Sequence, residues 1–186
     1  MRKNYKKQMT KQIRLAGDCY DNCIIHDSIV DGEGLRTTVF TQGCLRNCYK
    51  CQNPQTHPLD GGKVYDIEDI EKEISRPEQS GITLSGGEPM LQAKACTELA
   101  KYVKEKLHQN VWCYTGFTYE DLMSTGTEEQ KELLKHVDVL VDGAYIDSLR
   151  NLDLLFRGSS NQRIIRLEDG KIKSIDKDPD TDKFEL

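Results

Sequence analysis

Long apolar runs are missing from this 186-residue chain. No stretch approaches the roughly 20 consecutive apolar residues that a bilayer-spanning helix requires, which excludes a helical membrane span. A secretion signal is missing too: Met1 to Lys11 is basic and polar, with no apolar segment behind it, so a soluble, cytoplasmic chain is expected. Positive charge is scarce relative to negative. Lys and Arg total 26 against 31 Asp and Glu, a net charge of -5, and no basic stripe extends beyond Arg2 to Lys11, which argues against a nucleic-acid partner. An even set of cysteines is also lacking. Seven in a reducing compartment fit a disulfide framework poorly and point instead to metal ligation or catalysis.

What is present fits one domain, since a chain of this length buries one sizeable core but not two. Residues 1-17 read as a basic N-terminal extension, 18-169 as the domain, and 170-186, charged and carrying Pro179, as a C-terminal tail. Short apolar runs alternate with helical patterns, which predicts an α/β fold of mostly parallel strands joined by crossover helices. Five strands are expected, at Thr37 to Thr41, Ile82 to Leu84, Val111 to Tyr114, Val137 to Val141 and Arg163 to Leu167. Helices are expected over 67-74, over 91-107 with Leu91, Ala95, Leu99, Val103 and Leu107 on one stripe, and over 118-123 and 127-136. Several unusual loops fall just after these strands, where parallel sheets place their ligands.

The first such loop contains Cys44, Cys48 and Cys51, three thiols within eight residues. Isolated packed thiols would not cluster this way. A structural zinc site would need a fourth ligand, for which Cys23, Cys113 or His57 are candidates. An iron-sulfur cube with only three cysteine ligands keeps one iron open for a cofactor or substrate. Cys19, Cys23, Cys96 and Cys113 are expected to be packed or incidental thiols.

The C-x(3)-C-x(2)-C loop after one strand, followed about 35 residues later by Gly86-Gly87-Glu88-Pro89 after the next, resembles the radical S-adenosylmethionine (SAM) superfamily. That resemblance implies an incomplete, open (β/α) barrel and a 4Fe-4S cluster on Cys44, Cys48 and Cys51, whose open iron is chelated by SAM. It implies that Gly86, Gly87 and Glu88 hold the methionine amine. A carboxylate suits an ammonium group, and glycines allow close backbone approach. Superfamily members often carry an aromatic residue just before the third cysteine; here Lys50 stands there and Tyr49 precedes it, so adenine is expected to meet the backbone of Lys50, Cys51 and Gln52.

Four more segments narrow the resemblance: Asp31-Gly32-Glu33-Gly34-Leu35-Arg36, Tyr114-Thr115-Gly116-Phe117, Val141-Asp142-Gly143, and Arg157 through Arg163. Together, over about residues 20-167, they are similar to the glycyl-radical activases that serve anaerobic ribonucleotide reductases. The implied partner is the catalytic subunit of such a reductase, with a flavodoxin-type electron donor. Asp142, Ser159 and Asn161 become further candidates for cofactor contact, Asp142 alternatively as the start of a turn with Gly143. Two other readings stay open: a radical SAM enzyme acting on a small molecule, resembling 7-carboxy-7-deazaguanine synthase, and a noncatalytic zinc-binding interaction module.

Overall fold

The computed structural model describes residues 11-17 and 23-176. Its centre is four parallel strands, β3 (Arg36–Thr41), β5 (Gly81–Gly86), β6 (Asn110–Tyr114) and β7 (Val139–Asp142), adjacent in that order. The register runs Val39 to Leu84, Leu84 to Cys113 and Cys113 to Leu140. Strands covered on both faces carry near-continuous apolar and β-branched residues, as these do.

Antiparallel strands finish both sides. β8 (Arg163–Glu168) pairs with β7, and β9 (Lys171–Ile175) returns on β8 through Asp169 and Gly170. Those two residues have φ of 50° and 73°, the left-handed backbone that tight hairpins need. On the other side β1 (Gln12–Leu15) and β2 (Ile24–Ser28) both pair antiparallel with β3, and β4 (Lys63–Asp66) pairs with β1. The fold is therefore α/β, an open sheet with a parallel core, as expected, although its margins are antiparallel.

All five expected strands form, and four were not foreseen: β1, β2, β4 and β9. Two expectations about the ends need correction. Residues 11-17, read as part of an extension, supply β1, with Ile13 and Leu15 buried; β9 lies inside the segment read as a tail. The basic residues 2-10, Cys19 and Pro179 lie outside the described residues.

The helices α1 (Ile67–Glu73), α2 (Ala93–Tyr102), α3 (Tyr119–Thr125) and α4 (Glu128–Leu134) cover one face. Ile70, Leu99, Leu122, Leu133 and Leu134 meet Ile82, Leu84, Val111, Cys113 and Leu140 there in the main core. Thr118 and Thr127 each begin a helix with a reciprocal capping box, which satisfies two otherwise orphaned N–H groups. The predicted stripe is buried at Ala95, Leu99 and Val103, whereas Leu91 is exposed, because Pro89–Gln92 forms a 3-10 turn before α2 begins. By strand alternation Trp112, Val139 and Val141 point to the opposite face, where they join Ile164, Tyr114 and Phe156 in a smaller cluster. That face is covered by loops. Among the described residues no helix is long and apolar enough to cross a membrane.

Candidate functional site

The cysteine loop starts where β3 ends. Gly43, at φ 99°, turns the chain out of the strand, and its N–H donates to Thr56 O (2.8 Å) while Cys44 N–H donates to His57 O (3.0 Å). The loop is thereby closed at its base. Gln42 Nε2 donates to Gln55 O (3.2 Å) and Pro58 O (2.7 Å), tightening it further. Within the loop Asn47 and Lys50 adopt left-handed backbone, Cys51 N–H donates to Cys48 O (3.1 Å), and Cys51 Sγ accepts from Asn53 N–H (3.4 Å). Lys50 sends its ammonium to Asp147 (3.0 Å), so its side chain ties the loop to the segment after β7.

The glycine loop after β5 is stitched directly onto this one. Gly87 N–H donates to Thr41 O (2.8 Å) and Glu88 N–H to Gly43 O (2.9 Å). A Cβ on Gly87 would lie 2.5 Å from Gly43 O, and one on Gly86, whose φ is 96°, 2.6 Å from the backbone of Thr41. The two glycines are needed for this close approach of chain to chain. Glu88 is buried, and its carboxylate accepts from Met90 N–H (3.1 Å) and Thr115 Oγ1 (2.8 Å) at Oε1 and from Gly116 N–H (2.8 Å) at Oε2. A carboxylate has about four acceptor sites, so one on Oε2 is left for a ligand. Burial pushes the Glu88 carboxyl above its ordinary value, opposed by the bonds from Gly116, Thr115 and Met90 and by nearby Arg46.

Three expected contact residues are placed elsewhere. Asp142 is buried with Oδ1 accepting from Arg163 Nε (2.9 Å) and Oδ2 from Tyr119 N–H (2.8 Å), on the helix side of the sheet end. It holds the start of α3 and anchors Arg163, which also pairs with Glu120 (2.7 Å). Ser159 is buried and accepts from Ile146 N–H (3.2 Å), while Asn161 donates to Ala144 O (2.8 Å). Their hydrogen bonds hold loops rather than face the cavity. The residues of that segment that do are Gly158 and Gln162; Gln162 Oε1 accepts from Gly158 N–H (2.9 Å) and its Nε2 donates to Gly143 O (3.0 Å). Asp142→Ala should therefore lower stability by about 2 kcal/mol through loss of charged hydrogen bonds and leave SAM affinity unchanged, as checked by thermal melting and calorimetry.

Cys44, Cys48, Cys51, Gln52, Gly86, Gly87 and Glu88 line one cavity of about 400 Å³, together with Asn53, His57, Arg46, Tyr114, Thr115, Gly116, Gly143, Tyr145, Gly158 and Gln162. A larger cavity of about 650 Å³ lies over α2 and α4. Its lysines and glutamates pair with one another, as Glu132 does with Lys135 (2.9 Å) and Lys101 (3.4 Å), and it contains no thiol.

The donor set fits a cluster better than a single ion. A closed single-ion site would need a fourth ligand, whereas three thiolates suffice for a 4Fe-4S cube whose fourth iron is left to a cofactor. Cys44, Cys48 and Cys51 are free and half-buried. The Cys51 thiol is raised by burial first and then by its neighbours Cys48 and Cys44, with the Asn53 N–H opposing, so bringing three thiolates together calls for a positive centre between them. Cys113, weighed as a fourth zinc ligand, is buried in the sheet with its thiol held well above the ordinary value. Cys23 is buried and disulfide-bonded, which corrects the expectation of a packed free thiol and removes another zinc ligand. Cys96 is a packed thiol, pushed up to about 12 by burial.

Comparison with known proteins agrees with the donor chemistry. Residues 30-165 match a family described as 4Fe-4S single cluster domain. An anaerobic ribonucleoside-triphosphate reductase-activating protein of Vibrio cholerae is 37% identical over 146 residues, covering 74% of this chain and 92% of its own. The protein of the same description from bacteriophage T4 is 33% identical over 76% of this chain and 90% of its own. That of Escherichia coli K12 is 32% identical over 75% and 93%.

Proposed function

Because this chain belongs to the family of anaerobic ribonucleoside-triphosphate reductase-activating proteins, we propose that it activates an anaerobic ribonucleotide reductase by reductive cleavage of SAM. A 4Fe-4S cluster held here would supply the electron for that cleavage, and the hydrogen atom would come from a glycine Cα of the reductase. The protein's part is to hold, orient and exclude.

Cys44, Cys48 and Cys51 would hold the cluster at the cavity they line. The remaining acceptor on Glu88 Oε2 and the backbone of Gly86 and Gly87 receive the methionine amine. The backbone from Lys50 to Gln52 meets adenine, with Gln162 and Gly158 forming the far wall in place of Ser159 and Asn161. Because the cysteine loop and the glycine loop are joined by two backbone hydrogen bonds, cluster and amine are held in one frame, the pre-organisation a radical reaction requires. The observation that carries this reading is the convergence of three free thiols and a buried, partly committed carboxylate on one cavity at the strand ends.

The reductase catalytic subunit is the partner, and the location is cytoplasmic. We assign a flavodoxin-type protein as electron donor on family resemblance. The test is anaerobic reconstitution with iron and sulfide, followed by dithionite, SAM and the reductase. The expected result is 5'-deoxyadenosine, methionine and a glycyl-radical signal on the reductase. SAM cleavage without any radical on the reductase would favour a small-molecule substrate instead.

A further inference from the structure

The cluster cavity continues into a second trough of about 340 Å³, the two sharing Val30, Asp31, Gln52, Tyr114 and Gly158. One wall is Ile29 and Val30, about 70% exposed (70% and 71%). The other is the segment 154-157. Apolar side chains so exposed on both walls of one groove are a cost to the isolated chain and mark a contact surface.

The way the second wall is held strengthens this. Phe156 has φ 56°, a left-handed backbone that bulky residues rarely adopt. Its ring meets Trp112 edge-on at 5.4 Å, and its carbonyl accepts from Tyr114 OH (2.8 Å). A bridge between Arg150 and Ser159 closes the base of the loop. With Phe156 turned inward, Leu152 and Leu155 are turned outward, 81% and 65% exposed. Strained backbone that displays leucines beside a reaction cavity is the pattern of a functional surface. The opposite wall is equally set: the Asp31 carboxylate accepts from Ser28 Oγ (2.5 Å) and Thr38 Oγ1 (2.9 Å), and its carbonyl accepts from Thr83 Oγ1 (2.7 Å).

We propose that this trough takes an extended apolar segment of the reductase next to the glycine that is oxidised. The proposal rests on the activase reading and adds where the partner chain lies. Continuity decides the occupant, because a polypeptide seated between Ile29 and Leu155 runs straight into the cavity where the hydrogen atom is removed. Charge agrees: Asp31 and Arg157 are the only charged residues of the lining, Asp31 is engaged by two hydroxyls, and Arg157 Nη1 donates to Gln162 O (3.0 Å). An apolar peptide therefore suits the trough better than a charged small molecule.

Ile29 and Leu155 line the trough but not the cluster cavity, so Ile29→Asp and Leu155→Asp separate the two sites. In reconstituted protein each variant should cleave SAM without reductase to within about two-fold of wild type, yet bind full-length reductase about ten-fold more weakly or worse. Raising the reductase concentration should restore the glycyl-radical yield. Met123→Asp, at an exposed apolar position on α3, should behave as wild type. Wild-type reductase affinity in both trough variants would overturn the proposal, as would loss of reductase-free SAM cleavage in both, which would make the trough part of the cofactor site. If wild type cleaves SAM but puts no radical on the reductase, the activase reading fails and takes the trough assignment with it.

Discussion

Cys48→Ala should reduce SAM cleavage to background and leave the reconstituted protein short of iron and sulfide. In the proposed site each of Cys44, Cys48 and Cys51 would account for one iron of the cube, and removing one ligand would open a second iron to solvent and thiol exchange. The informative comparison is with the two buried thiols. Cys96, pushed up to about 12, and Cys113, also raised well above its ordinary value, are buried in the core and do not line the cluster cavity. Cys96→Ala should keep a full complement of iron and normal cleavage, with a cavity penalty of about 1 kcal/mol. Iron and sulfide analysis with product assay distinguishes the sets. Full iron and normal turnover in Cys48→Ala would overturn the ligand assignment.

Glu88→Gln should be the second most damaging change, despite its near-identical shape. Three donors converge on this carboxylate, and an amide presents two N–H groups where one oxygen stood. Whichever way it is turned, at least one backbone N–H, of Met90 or Gly116, loses its acceptor, for about 1–3 kcal/mol. The anionic partner of the methionine ammonium is lost as well, so SAM affinity should fall about ten-fold or more. Thermal melting and anaerobic calorimetry read the two effects separately. Unchanged affinity with lowered stability would leave Glu88 as a tie between loops only. The pH dependence has a definite sign. With the folded value raised above 4.5, the contribution of this group to stability is present at low pH and is lost as pH rises through the folded value. Binding of a cation runs the other way, gaining over that same interval.

Much of this is legible in the sequence. The four parallel strands and β8 stand out because burial calls for their short runs of apolar and β-branched residues. β1 (QIRL), β4 (KVYD) and β9 (KIKSI) do not, because each is short and half polar. Ile13 and Leu15 are buried only because β3 and β4 arrive from 26 to 54 residues away, which no local pattern reports. The three cysteines stand out by their spacing and Gly86-Gly87-Glu88 by resemblance to the superfamily, and both sets line one cavity. For Asp142 the sequence leaves cofactor contact and the start of a turn both open, because position at a strand end does not say on which side of the sheet a carboxylate falls: its neighbour Gly143 borders the cavity, while Asp142 turns toward Tyr119 and Arg163. Thr115, Gly116 and Gln162 were missed as site residues for a related reason. Their hydrogen-bond partners are set by loops from other strands, and only the flanking motif in the sequence hinted at Thr115 and Gly116.

The joining of Gly87 and Glu88 to Thr41 and Gly43 bears on how this chemistry could be moved between scaffolds. Grafting the eight-residue cysteine segment alone onto a foreign barrel would carry thiols without the neighbouring strand whose amides brace their loop. The smallest transplantable module runs from β3 through the turn that follows β5, roughly a third of the described chain, with both glycines kept. A designer who replaced either glycine to gain helix propensity or rigidity would be separating two loops that work only as a pair.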